Sequence, residues 1–145
     1  MKTKFTARLW GARLLIALVI AWNLQAALVF LLTPQTFTAG FELSGVPGSA
    51  ALRGIAILFV MWNIPYLVAL WQPHRNRVSL WEALAMQSVG VIGESIILVT
   101  LPAGNTPLHT SLLRFIVFDS AGLVALGLAI ILGTGNRRRE RPAAP

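Results

Sequence analysis

Four ionisable side chains interrupt long apolar stretches of this 145-residue chain: Arg53, Glu94, Arg114 and Asp119. An ionisable residue inside a lipid-embedded helix is costly unless it is paired or hydrated. The two positive and two negative groups can neutralise one another, and an arginine fork that holds a carboxylate suits a low-dielectric site. We therefore expect a buried polar cluster in which Glu94 accepts hydrogen bonds from one or both arginines.

Three amide side chains are candidate members of the same network. Gln87 and Glu94 share one face of a helix because they are two turns apart, and Asn23 and Asn63 fall near the middle of their apolar stretches. The network has two interpretations. It is either a structural clasp that locks helix register, or a site that relays protons or binds a lipid, a quinone or a small polar molecule.

Several kinds of chemistry are excluded by composition. The sequence contains no cysteine, which removes disulfides, thiolate metal sites and cysteine redox chemistry. His74 and His109 fall in connecting segments and lack metal-ligand spacing, so we predict neither a haem nor another metal site. We identify no catalytic residue and expect no cofactor, which favours a protein that is not an enzyme.

The elements that position these residues are apolar segments long enough to cross a bilayer, which takes about 20 mostly apolar residues. Four segments qualify: residues 10–32, 50–71, 80–101 and 110–132. Proline and glycine clusters separate them, and none shows the alternation of a barrel strand. We predict an all-α, four-helix transmembrane bundle of up-down-up-down topology, formed by a single domain over residues 1–136.

Basic residues set the expected orientation. The net charge is +7, and the flanking Lys and Arg precede the first span, separate the second from the third, or lie in the tail at residues 137–145. The positive-inside rule then places both termini in the cytoplasm. We predict a multi-pass protein of the bacterial cytoplasmic (inner) membrane.

The basic termini are expected to contact the anionic headgroups of the lipid bilayer, and the tail is expected to be disordered. No basic helix or stacking-aromatic module indicates a nucleic-acid partner.

This threading gives each embedded charge a depth. Arg53 and Arg114 should lie about one turn below the outer surface, and Glu94 about two turns below it. Asp119 should lie near the midplane. Three helices therefore bring charge to the outer half of the bundle.

The first outer connection is the longest and carries Phe37, Phe41 and Glu42. Such a segment either lies in the headgroup interface or covers the mouth of the bundle as a lid.

The size, the basic start, the long first outer loop and the segment Gly48-Ser49-Ala50-Ala51-Leu52-Arg53-Gly54 together resemble the DoxX-like group of small bacterial four-helix membrane proteins. The resemblance implies the same fold. Some members of that group are associated with quinone-linked sulfur oxidation and many have no assigned activity, so no catalytic residue is carried over.

Three functions fit the sequence. The first is an accessory or lipid-like-ligand-binding membrane subunit, the second a small proton-coupled transporter or channel-like oligomer, and the third a quinone-linked redox subunit. A homo-oligomer or a membrane complex partner fits the first two. A dry, paired cluster would favour the accessory role, a water-filled cavity reaching Glu94 or Asp119 would favour transport, and a flat apolar slot beside Arg53 or Arg114 would favour a lipid or a quinone.

Overall fold

The computed structural model describes residues 2–134 of the chain, and the side chains of residues 6–133. The described elements are α1 (Lys2–Leu32), α2 (Gln35–Thr38), a 3₁₀ turn (Ala39–Phe41), α3 (Gly45–Trp71), α4 (Arg77–Thr100) and α5 (Thr106–Thr134). Helices α1, α3, α4 and α5 are long and apolar enough to cross a membrane. The predicted all-α, four-span fold is confirmed, and the predicted tail at residues 137–145 lies outside the described residues.

All four spans begin earlier than predicted, because hydropathy marks the lipid-embedded part of a helix and not its continuation into the headgroup layer. Helix α3 shows how such an extension is capped. The amide of Gly48 donates to the carbonyl of Ser44 at 3.1 Å, so the helix starts there. Pro47 then falls in the first turn, where a missing amide proton costs no helical hydrogen bond. Helix α4 stops at Thr100 because Leu101, which precedes Pro102, is extended.

The four spans form a closed ring in which α1 packs against α3 and α5, and α4 packs against the same two helices. The Arg13 guanidinium donates to the carbonyl of Trp71 at 2.8 Å, and Gly11 faces Leu132. The start of α1 and the ends of α3 and α5 therefore meet at one end of the bundle, termed the basic end. The other end, termed the loop end, carries the first and third connections.

Two apolar clusters fill the interior. The cluster toward the basic end is built by Ile16, Tyr66, Leu80 and Leu126, with alanines that allow close helix approach. The cluster toward the loop end is built around Phe30, Leu52 and Ala56, with further phenylalanines packed against it. The boundary between the two clusters crosses α1, α3 and α5, and α4 contributes only to the cluster toward the basic end. The polar residues of the interior lie at this level.

Candidate functional site

Each span contributes at least one polar residue near the boundary between the two apolar clusters. These residues are Asn23 on α1, Asn63 on α3, Gln87 on α4 and Asp119 on α5, and together with Tyr66 they are termed the polar layer. Asn63 is 1% exposed and Gln87 is 5% exposed, whereas Asn23 and Asp119 are half-buried. The described part of the bundle thus has a polar middle between two apolar ends.

A chain of hydrogen bonds joins three spans within this layer. The Tyr66 hydroxyl lies 2.7 Å from Gln87 Oε1 and 3.1 Å from the carbonyl of Ala83, so both acceptors share its proton. The Gln87 amide nitrogen donates to Asp119 Oδ1 at 2.9 Å and to the Asp119 carbonyl at 3.2 Å. Gln87 therefore has a donor on one side and an acceptor on the other, which fixes the orientation of its amide.

Two glycines make room for this chain. A Cβ added at Gly90 would lie 2.5 Å from Asp119 Oδ2, and one added at Gly122 would lie 2.8 Å from the Gln87 amide nitrogen. Both separations are too short for real atoms, so any side chain at either position would displace the Gln87–Asp119 pair. Helices α4 and α5 approach closely here because these positions lack side chains.

The two asparagines of the layer are less completely paired. The Asn63 amide nitrogen donates to the carbonyl of Phe59 at 2.7 Å, while its side-chain oxygen is buried without a hydrogen-bond partner. Asn23 and Asp119 directly follow Trp22 and Phe118, whose rings pack against each other, so Asn23 lies at about the level of Asp119. The polar layer therefore contains one fully buried acceptor that the described protein leaves unsatisfied, and such an acceptor costs about 1–3 kcal/mol.

Glu94 lies outside the layer, toward the loop end. It follows Gly90 by about one helical turn, and Gly90 contacts the Asp119 carboxyl, so the Glu94 backbone lies about 6 Å along the axis from the level of that carboxyl. The Glu94 Oε2 atom is buried without a hydrogen-bond partner. The expected arginine hydrogen bonds do not reach this oxygen.

The four embedded ionisable residues do not gather into one cluster. Arg53 and Arg114 are both exposed at the bundle surface, and the Arg53 Nε atom lies 3.4 Å from the carbonyl of Leu31. Helix geometry explains this outcome, since about 100° separates consecutive residues. Leu52 is fully buried, which turns Arg53 outward, and Asp119 faces the interior, which turns Arg114 away from it. The predicted depths place the charges at similar levels, but their directions differ.

A shallow slot of about 470 Å³ lies beside Arg114, between α1 and α5. Its floor is formed by Trp22 and by one side of α5 from Thr110 to Ala121. The Trp22 and Phe118 rings pack with their centroids 5.3 Å apart. Arg114 is the one charged residue of the lining, and no carboxylate within the described chain pairs with it. The slot is therefore an apolar surface with a positive charge toward the loop end.

The segment expected to be an interfacial loop or a lid packs onto the loop end. The Phe37 and Phe41 rings lie 5.2 Å and 5.8 Å from the ring of Phe30, between centroids. The Ser111 hydroxyl donates to the carbonyl of Gly40 at 2.6 Å, which ties the segment to α5. Glu42 is exposed.

Tyr66 is the member of the layer that sequence reasoning missed. It is the only tyrosine in the chain, and it follows Asn63 by three residues, a spacing that places both on one helix face. The sequence feature that could have identified Tyr66 is therefore a single tyrosine hydroxyl on the same helix face as Asn63. The position of Trp22 at the slot had no signal in the sequence.

The arrangement offers two carboxyl groups about one helical turn apart in level, a hydroxyl and amides in an apolar surrounding. Within residues 2–134, no group of three or more histidine, aspartate or glutamate side chains is placed to hold a metal ion. No protein-family model, curated protein or solved structure matches the chain.

Proposed function

We propose that this protein binds a lipid-like amphiphile with an anionic headgroup in the slot beside Arg114, as a small accessory subunit of the membrane. The observation that carries the proposal is an apolar slot that ends at an arginine with no carboxylate partner among the described residues. Apolar chains would lie against Trp22 and Phe118, and the headgroup would accept hydrogen bonds from the guanidinium. A planar, forked guanidinium matches phosphate and carboxylate oxygens.

The predicted orientation supports this assignment. If both termini are cytoplasmic, the loop end faces outward and Arg114 lies near the headgroups of the outer leaflet. An amphiphile of that leaflet could then place its headgroup at Arg114 and its chains toward the midplane. A location in the bacterial inner membrane and a place in the DoxX-like group are parts of the same proposal.

A transporter, a quinone-linked redox subunit and a homo-oligomer stay predictions. The slot favours an amphiphilic ligand over transport, because it lies away from Glu94. An apolar slot also fits a quinone, and the unpaired charge of Arg114 is what favours an anionic headgroup over a neutral quinone ring.

The test is mass spectrometry of the intact protein released from detergent, comparing wild type with Arg114→Gln. Arg53→Gln is the matched control, because Arg53 is also an exposed arginine of the loop-end half but lies outside the slot lining. A charge-assisted hydrogen bond contributes about 1.5–3 kcal/mol, so Arg114→Gln should reduce retention of an anionic amphiphile about tenfold or more. Equal retention by the wild type and both variants would contradict the proposal, as would a wild type that carries no amphiphile.

A further inference from the structure

We propose that Glu94 and Asp119 form a proton-binding site inside the bundle, separate from the slot and independent of its ligand. The slot lies on the lipid-facing side of α5, whereas Asp119 faces α4. Buried acceptor atoms that lack hydrogen-bond donors point to this site.

Two buried oxygens near the centre of the bundle have no hydrogen-bond partner: Glu94 Oε2 and Asn63 Oδ1. Asn63 is 1% exposed and lies on the same inward face as Tyr66. Buried acceptors are normally satisfied. The interior of this bundle is therefore richer in acceptors than in donors, and a ligand that fits it must donate.

No cation from the described chain supplies the missing charge. Helix α1 has no ionisable residue from residue 14 to residue 32. On α3, Arg53 is exposed and turned toward the carbonyl of Leu31, and on α5 both His109 and Arg114 are exposed. On α4, Glu82 is exposed near the basic end and adds no positive charge. Tyr66 is the remaining titratable group that faces the layer.

The geometry around Asp119 suits a proton better than a larger cation. Its Oδ1 atom accepts from the Gln87 amide at 2.9 Å, and its Oδ2 atom fills the space left by Gly90. A metal ion would need several oxygen ligands at once, but here each oxygen is held separately. A proton needs only one carboxyl oxygen to bind, and it removes the cost of a carboxylate in lipid.

The site has a hydrogen-bonded connection toward the basic end. Asp119 bonds to Gln87, and Gln87 bonds to the Tyr66 hydroxyl. Tyr66 lies about one and a half turns from the end of α3 at Trp71. The hydrogen-bond chain from Asp119 therefore ends at Tyr66, which packs in the apolar cluster toward the basic end.

Infrared spectroscopy of the full-length protein in lipid vesicles at neutral pH tests this proposal. A protonated carboxyl gives a carbonyl stretching band that is distinct from the carboxylate bands and shifts in D₂O. We expect this band in the wild type, and we expect Glu94→Gln or Asp119→Asn to remove it. Glu82→Gln, which alters an exposed carboxyl of the same helix as Glu94, should leave the band unchanged.

A wild-type spectrum without a protonated-carboxyl band at neutral pH would overturn the proposal, and this result needs no variant to fold. A band that persists in both Glu94→Gln and Asp119→Asn would also overturn it, because the proton would then be bound elsewhere. The amphiphile test has a separate readout, so either proposal can fail while the other stands.

Discussion

Replacing Gly90 with alanine should destabilise the bundle by forcing apart the side chains that join α4 to α5. The new methyl carbon would lie 2.5 Å from Asp119 Oδ2 and 3.6 Å from the carboxyl carbon. The carboxyl group must therefore move, and the 2.9 Å hydrogen bond that Oδ1 accepts from Gln87 lengthens with it. The same helix provides a matched control, because a Cβ at Gly93 would meet nothing within 4 Å.

The expected magnitude follows from three effects. Overpacking a well-packed interior costs about 1–3 kcal/mol, and an interhelical hydrogen bond in a membrane contributes about 0.6 kcal/mol on average. Alanine is favoured over glycine inside a helix by about 1 kcal/mol. Gly90→Ala should therefore lose about 1–2 kcal/mol of unfolding free energy. Gly93→Ala should be neutral or gain up to about 1 kcal/mol, since only the helix preference applies.

The measurement is reversible unfolding in mixed micelles, with helicity followed as the fraction of denaturing detergent rises. The two variants are compared directly, so uncertainty in the extrapolated wild-type value does not affect the outcome. Equal stability of Gly90→Ala and Gly93→Ala would refute the close contact between Gly90 and Asp119.

Two further predictions concern single hydroxyl groups. Tyr66→Phe should lower the unfolding free energy by about 1 kcal/mol in the same titration, because Gln87 Oε1 and the Ala83 carbonyl lose their donor while the ring still packs; unchanged stability would show that the hydroxyl is not engaged. Ser111→Ala should speed amide hydrogen exchange in residues 35–41, because the bond to the Gly40 carbonyl is lost. Thr110→Ala is the control, because the Thr110 hydroxyl donates to the Thr106 carbonyl within its own helix. Equal exchange rates in the two variants would contradict the hydrogen bond between Ser111 and Gly40.

The fold was predictable because lipid imposes simple demands on length and hydropathy. Backbone groups in a bilayer must bond within the helix, so every apolar segment of sufficient length became a span. Prolines marked where spans end and connections begin, as at Pro102 after α4. The early start of α3 at Gly45 was not visible, because Val46 and Pro47 resemble a loop until Ser44 is seen to begin the helix.

The site was predictable in depth but not in direction. Counting residues from the ends of a span gives the level of Arg53, Glu94 and Arg114. The side a residue faces depends on which neighbours are buried, and a uniformly apolar helix conceals this. The interior face of α5 is set by Gly122 and Leu126, which are buried, and Asp119 shares that face. Arg114 does not share it, as the spacing of five residues, about 140° around the helix, predicts; which of the two faces the interior was not visible in the sequence.

The most direct test of the account is a pair of double-mutant cycles on unfolding free energy. One cycle combines Gln87→Ala with Asp119→Ala, and the other combines Glu94→Gln with Arg114→Gln. The account predicts a coupling of about 0.6–1.7 kcal/mol between Gln87 and Asp119. It predicts additivity within about 0.5 kcal/mol for Glu94 and Arg114. Additivity in the first cycle and strong coupling in the second would contradict it, because the bundle would then be held by an arginine clasp and not by the polar layer.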